Sequence, residues 1–211
     1  ASFRPVAEVE AQLADCGIDG RGRVLTSAVM AVDLVEPGET VLVAAGPGVT
    51  EELRRRGAVV VTEGEADAVM VGFHLDFTYD RMRAASLAVR AGARLIATND
   101  DATYPTSEGL WPGGGAILAS IERATGTDAV VAGKPYPPSV EHVHRRIGTE
   151  GIMVGDRPDT DGRFARALGF DFGLVLSGVT GRADLPVEPR PDVIAADLGA
   201  LVEETLGAGP A

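Results

Sequence analysis

The sequence predicts an α/β fold built on mostly parallel sheets. Two observations carry that expectation. Short apolar runs such as Val41–Ala45, Val59–Val61, Ala68–Gly72 and Gly173–Ser177 read as buried strands. Helical stretches of roughly 8–15 residues separate them, and that alternation is how parallel sheets with crossover helices are written. No internal repeat, coiled coil or low-complexity tract interrupts the pattern.

The 211 residues suffice for one large domain or two small ones, and 45% apolar residues can fill a core. A net charge of −12 argues against a nucleic-acid or acidic-membrane partner, both of which need clustered Lys and Arg. It leaves room for a small phosphorylated ligand, which a few local cations and backbone N–H groups can hold. Cys16 is the sole cysteine, so neither a disulfide framework nor a thiolate metal cluster is expected. No apolar run approaches the roughly 20 residues of a membrane span, and no leader pattern is visible, so a cytoplasmic protein is the expectation.

In chain order, Pro5 opens a helix with Val6, Val9, Leu13 and Cys16 on one face and Gly17 as its stop. A second helix is expected over Val24–Leu34. The period then changes to that of strands: Val41–Ala45, a Gly46-Pro-Gly48 loop, a helix over Val49–Arg56, then strands at Val59–Val61 and Ala68–Gly72. A helix over Tyr79–Ala91 and a strand over Arg94–Thr98 follow. The segment Asn99–Gly115 is long for a structureless connection, and such loops are usually functional or disordered. A helix over Ala116–Ala124, a strand over Ala129–Val131 and a helix over Ser139–Ile147 come next. Ile152–Val154 reads as a strand ending at Gly155-Asp156, with Asp161 opening a helix that buries Phe164 and Leu168. Strands at Gly173–Ser177 and Pro191–Ala195 and a helix over Asp197–Leu206 close the chain.

From Ala129 onward three consecutive strand ends carry polar residues: Lys134, Asp156 and the Ser177–Thr180 loop. Ligands of parallel α/β sheets bind outside the carboxyl ends of strands. A Lys can neutralise non-bridging phosphate oxygens, and Asp156 with Asp161 offers oxygen ligands for Mg²⁺. The same two Asp residues also suit a turn and an N-cap, and Lys134 before Pro135 suits a solvated turn. His142 and His144, two apart on a helix, point to different faces and make a poor metal pair. His74 reads as a structural or rim residue, and Trp111 as local packing.

Taken together, Val131-Ala-Gly-Lys-Pro135, Met153-Val-Gly-Asp-Arg-Pro-Asp-Thr-Asp161, Leu176-Ser-Gly-Val-Thr180, Ile96-Ala-Thr-Asn99, Arg90-Ala-Gly-Ala93 and Pro112-Gly-Gly-Gly-Ala116 resemble the haloacid dehalogenase-like (HAD) hydrolases, specifically the NagD-like phosphatases with a large inserted cap. The resemblance runs over nearly the whole chain, and the Gly-Asp-Arg-x-Asp-Thr-Asp run is its most specific part. It implies a Rossmann-like parallel-sheet core split by an α/β cap, with residues 1–39 and 128–211 in the core and 40–127 in the cap. It implies that Lys134 neutralises phosphate, that Asp156 is the direct ligand of Mg²⁺ and that Asp161 is the supporting acid. Asn99 and Asp101, with the Tyr104–Gly115 loop, would close over the substrate's leaving group. The implied activity is Mg²⁺-dependent hydrolysis of small phosphomonoesters through an aspartyl-phosphate. Glycerol phosphate is preferred, because Arg190-Pro-Asp-Val-Ile194 resembles members assigned that activity. A small phosphorylated metabolite is the expected partner, with a homodimer formed through the cap.

The chain departs from the family at one point. The family's catalysis begins with an Asp-x-Asp element, nucleophile and general acid/base, and a Thr or Ser with Asn on the next strand binds phosphate. Neither is found here. Asp159-Thr-Asp161 has the spacing, but no apolar strand directly precedes it. Ala1-Ser-Phe-Arg4 resembles the family's residues directly after the second element. The expectation is therefore a chain lacking a strand–helix–strand unit of the order of 30 residues. A natural remnant that binds without hydrolysing is the alternative. A nucleotide-cofactor oxidoreductase is a weaker rival: Val41–Gly48 resembles a dinucleotide-binding start, yet Glu51 stands where a third glycine should be.

Overall fold

The computed structural model describes residues 2–207. The chain divides into two compact units, Ala1–Gly133 and Lys134–Ala211.

The first unit runs α1 (Val6–Asp15), α2 (Ser27–Val32), β1 (Thr40–Ala44), α3 (Pro47–Arg56), β2 (Val59–Val61), β3 (Ala68–Val71), α4 (Tyr79–Arg90), β4 (Arg94–Ala97), β5 (Thr103–Thr106), β6 (Gly109–Pro112), α5 (Gly114–Thr125) and β7 (Val130–Val131). Its sheet is parallel throughout, in the order β2-β1-β3-β4-β7. Successive residues of β1 feed opposite faces, as a strand's period of two requires. Val41 and Val43 pack with Val49, Leu53 and Met70 under α2 and α3, and Leu42 and Ala44 pack with Val69, Leu95 and Ile121 on the other face. Burying each of the larger side chains contributes about 1.5–3 kcal/mol. α3 stops where Gly57 turns left-handed, at φ 86°, a conformation that costs a residue with a Cβ.

Several sequence expectations need correcting here. α2 starts at Ser27, not Val24, because Thr26 caps it by accepting the amide of Val29. Val6, Val9 and Leu13 of α1 are half-buried while Cys16 is exposed. The Asn99–Gly115 stretch is no open loop: β5 and β6 form an antiparallel hairpin pairing Tyr104 with Trp111. α2 contributes Ala28, Ala31 and Val32 to the core around β1. β7 pairs with β4, so the strand before Lys134 belongs to this sheet and not to the sheet that carries Asp156.

The second unit comprises α6 (Pro137–Ile147), β8 (Ile152–Gly155), a π-helical turn (Pro158–Gly162), α7 (Arg163–Leu168), β9 (Asp171–Val175), a 3₁₀ turn (Arg182–Asp184), β10 (Val193–Ala195) and α8 (Leu198–Leu206). Its parallel sheet has the order β10-β9-β8. Ala165, Phe172 and Leu174 form one buried cluster, and Val175, Ala195 and Leu201 another. Asp192 ties the layers together, accepting the amide of Phe172 at 2.8 Å and pairing with Arg166 at 2.7 Å. β8 is an edge strand in this sheet, with Ile152 41% exposed. No helix among the described residues is long and apolar enough to cross a membrane.

Candidate functional site

The end of β8 brings the chemistry together. The strand runs out at Gly155, so Asp156 begins the turn that leads into Pro158–Gly162. Asp161 sits inside that π-helical turn and does not open α7, which begins two residues later at Arg163. Its amide donates to the carbonyl of Arg157 at 2.6 Å, and its carboxylate folds back over the strand end. There Oδ2 accepts the amide of Arg157 at 3.2 Å, and Oδ1 lies 2.5 Å from Nζ of Lys134. Asp161 is 6% exposed, so its charge is balanced by the ammonium and by a backbone dipole, not by water.

Asp156 is held from the other side. Its Oδ2 accepts the amide of Val179 at 2.6 Å, and its carbonyl accepts the amide of Thr180 at 3.3 Å. Oδ1 has no hydrogen-bond partner among the described residues and remains available. The loop after β9 therefore contributes a backbone N–H to Asp156.

Two glycines make this packing possible. A Cβ at Gly155 would lie 2.2 Å from Oδ2 of Asp161, and a Cβ at Gly178 would lie 2.0 Å from Oδ2 of Asp156. Neither glycine has a positive φ, so space and not conformation selects them. Gly155, Gly178 and the amide of Val179 are the residues that sequence reasoning missed. A glycine at the carboxyl end of a strand was the available signal, but its contact lies elsewhere in the chain.

Asp159 lies outside the cluster. Arg157 pairs with it at 2.9 Å, and this hydrogen-bonded guanidinium holds the exposed carboxyl below the usual Asp range.

Asn99 and Asp101 belong to the first unit, and there they meet each other, Nδ2 of Asn99 lying 2.5 Å from Oδ2 of Asp101. At the start of α5, Gly115 donates to the carbonyl of Asp101, and a Cβ at Gly114 would meet Oδ1 of Asn99 at 2.7 Å. The ring of Tyr104 stacks on Phe73 at 4.6 Å, which fixes the hairpin. His74 is buried, with Nδ1 2.9 Å from the carbonyl of Gly72, and burial pushes its pKa down. His144 reaches the carbonyl of Leu168 at 3.0 Å through Nε2, a packing role.

The dinucleotide rival meets a steric objection. The Gly46–Gly48 turn is filled by the chain itself: Gly48 donates to the carbonyl of Phe3 at 2.9 Å, and a Cβ on Gly48 would lie 2.3 Å from the carbonyl oxygen of Arg4. No pyrophosphate can approach that backbone while residues 2–4 occupy it.

The donors at β8 are hard oxygens, the chemistry Mg²⁺ takes, and Asp156 keeps one oxygen open. Among the described residues no group of three or more His, Cys, Asp or Glu side chains is arranged to hold a metal ion.

Fold and site define a class: α/β proteins whose charged side chains gather where parallel strands end. A HAD-hydrolase-like family model matches residues 131–201. The chain is 38% identical over 213 residues to the D-glycerol 3-phosphate phosphatase of Mycobacterium tuberculosis, covering 96% of this chain and 60% of that protein. The structure of the glycerol phosphate phosphatase of that organism in complex with magnesium superposes with a TM-score of 0.86 at 37% identity, over 95% of this chain and 64% of that one. An acid sugar phosphatase of Staphylococcus aureus is 33% identical over 191 residues, covering 87% of this chain and 74% of that protein. The 4-nitrophenylphosphatase of Thermotoga maritima superposes with a TM-score of 0.88 at 30% identity, over 96% of this chain and 80% of that one. The chain belongs to the HAD-like hydrolase family. It spans about 60% of the length of the mycobacterial relative.

Proposed function

We propose that this chain carries the phosphate- and metal-holding half of a Mg²⁺-dependent phosphatase acting on small phosphomonoesters. The observation that carries the reading is the Lys134–Asp161 pair at 2.5 Å beside Asp156, each carboxylate seated on a glycine. Asp156 and Asp161 would hold the cation, with Oδ1 of Asp156 as the direct ligand. A bound Mg²⁺ supplies charge neutralisation and orientation for the phosphoryl oxygens. Lys134 neutralises a non-bridging oxygen, and Asp161 keeps its ammonium in place. The amide of Val179 fixes the Asp156 carboxylate, so its free oxygen is aimed before ligand arrives.

The nucleophile in this reading is an Asp-x-Asp element on a strand paired along the open edge of β8. Its first carboxylate attacks phosphorus while the ester oxygen leaves with a proton from the second. Water then cleaves the aspartyl-phosphate, releasing phosphate and restoring the carboxylate. The free edge of β8 and its half-exposed Ile152 support that pairing. Residues 1–39 and 128–211 would then share the core and 40–127 would form the cap, whose Asn99, Asp101 and hairpin exclude water over the leaving group. Glycerol phosphate is the substrate this reading favours, and likeness to the mycobacterial D-glycerol 3-phosphate phosphatase supports it. A cytoplasmic location and a homodimer through the cap complete the reading.

The test is phosphate release from glycerol 3-phosphate by the protein carrying that strand, with and without Mg²⁺. Turnover should require Mg²⁺ and vanish in Asp156→Ala. Full Mg²⁺-dependent turnover in that variant contradicts the site, and Mg²⁺ binding without turnover in the unaltered protein favours a remnant that binds only.

A further inference from the structure

The first unit holds a cavity that phosphate hydrolysis does not use. It measures about 560 Å³, within the range of about 300–1,000 Å³ that small-molecule sites occupy. Its walls come from the carboxyl ends of three adjacent parallel strands. Gly46 and Thr50 follow β1, Thr62 and Glu63 follow β2, and Asp76 and Arg81 follow β3. In the order β2-β1-β3-β4 the chain leaves β1 first to one side and then to the other, the crossover at which open parallel sheets bind ligands.

The lining sorts by chemistry. Half-buried Val60 gives an apolar surface. Arg81 is neutralised by Asp76 at 2.5 Å and forms a fixed wall. Arg54 is exposed and makes no ion pair among the described residues, leaving one guanidinium free for an anion. Glu63 is exposed at the end of β2, where a carboxylate can accept both hydroxyls of a ribose diol. The nearby pyrophosphate seat is closed by residues 2–4, which rules out a dinucleotide and leaves the groove beside it open.

We infer that this cavity binds a ribonucleoside monophosphate, with the base against Val60, the ribose diol on Glu63 and the phosphate on Arg54. The site lies wholly within the first unit and shares no residue with Lys134, Asp156 or Asp161.

Titration calorimetry of the 211-residue chain with AMP, 2′-deoxy-AMP and adenosine tests it, alongside the amide shifts of Thr50 and Thr62. AMP should bind saturably and shift both amides. Glu63→Gln and the deoxy ligand should each weaken binding about tenfold, and Arg54→Ala should bring AMP down to the affinity of adenosine. Both side chains are exposed, so neither substitution threatens the fold. In Lys134→Ala and Asp156→Asn, which alter the phosphate site of the second unit, AMP should still shift the amides of Thr50 and Thr62. Absence of binding at millimolar AMP overturns the inference, as does binding indifferent to Arg54→Ala and Glu63→Gln. Loss of those shifts in Asp156→Asn also overturns it, by placing the nucleotide on the phosphate site of the second unit.

Discussion

The ammonium of Lys134 lies 2.5 Å from Oδ1 of Asp161, although 27 residues separate them in the chain. The pair is asymmetric: the Lys side chain is 39% exposed and that of Asp161 only 9%. Water therefore screens the cation, while the anion depends on its partners. Lys134→Ala should cost about 3 kcal/mol in urea unfolding, because it leaves the buried Asp161 carboxylate with the Arg157 amide and no counter-ion. Affinity for inorganic phosphate should fall by about tenfold or more. An unchanged phosphate affinity would make the lysine structural.

Gly178→Ala places a methyl group on the Asp156 carboxylate, and Gly155→Ala places one on that of Asp161. Each should destabilise by about 1–3 kcal/mol in chemical denaturation, the usual cost of forcing atoms into a filled space. Gly178→Ala should also weaken divalent-cation binding, since the Val179 hydrogen bond holds the same carboxylate. Wild-type stability in both variants would mean that the carboxylates are not seated as described.

His74 gives the first unit a pH dependence. Its Nδ1–H donates to the carbonyl of Gly72, Nε2 is buried with no hydrogen-bond partner among the described residues, and burial lowers its pKa below the ordinary 6.5. Asp76 works against that shift and Arg81 with it. The unfolded chain thus takes up a proton at a higher pH than the folded one. Stability from this group is full above about pH 6.5 and is lost as pH falls toward the lowered folded value. Thermal unfolding between about pH 7.5 and 5 should show a declining midpoint, and His74→Asn, which keeps a donor for Gly72, should flatten that slope.

Tyr104 anchors the β5–β6 hairpin through its ring stack on Phe73. Tyr104→Ala should cost about 0.5–1.5 kcal/mol beyond the area lost and should speed amide exchange across the Tyr104–Trp111 pair. Unaltered exchange there would show that the strand pairing stands without the stack.

Strands buried on both faces were legible because Val41–Ala44 and Ala68–Val71 are continuous apolar runs, and Asp156 and Asp161 stood out as a compact pair of carboxylates, while the approach of Lys134 to Asp161 across 27 residues is a tertiary contact. The hairpin was not: Thr103–Thr106 and Gly109–Pro112 carry two prolines and a glycine and are largely exposed, so they show no alternation to read. The place of β7 could not be read either, since pairing partners are a tertiary choice and two valines fit either sheet. The seats at Gly155 and Gly178 depend on carboxylates at Asp161 and Asp156, and only the folded chain reveals those contacts.

Mn²⁺ titrated into the ¹⁵N-labelled chain, in place of Mg²⁺, reports the metal site most directly, because a paramagnetic ion broadens the amides nearest to it. Broadening should begin at Asp156, Arg157, Asp161 and Val179, and should disappear from all four in Asp156→Asn. Broadening that starts elsewhere, or that survives Asp156→Asn unchanged, would contradict the assignment of the end of β8 as the metal-holding half of a phosphatase site.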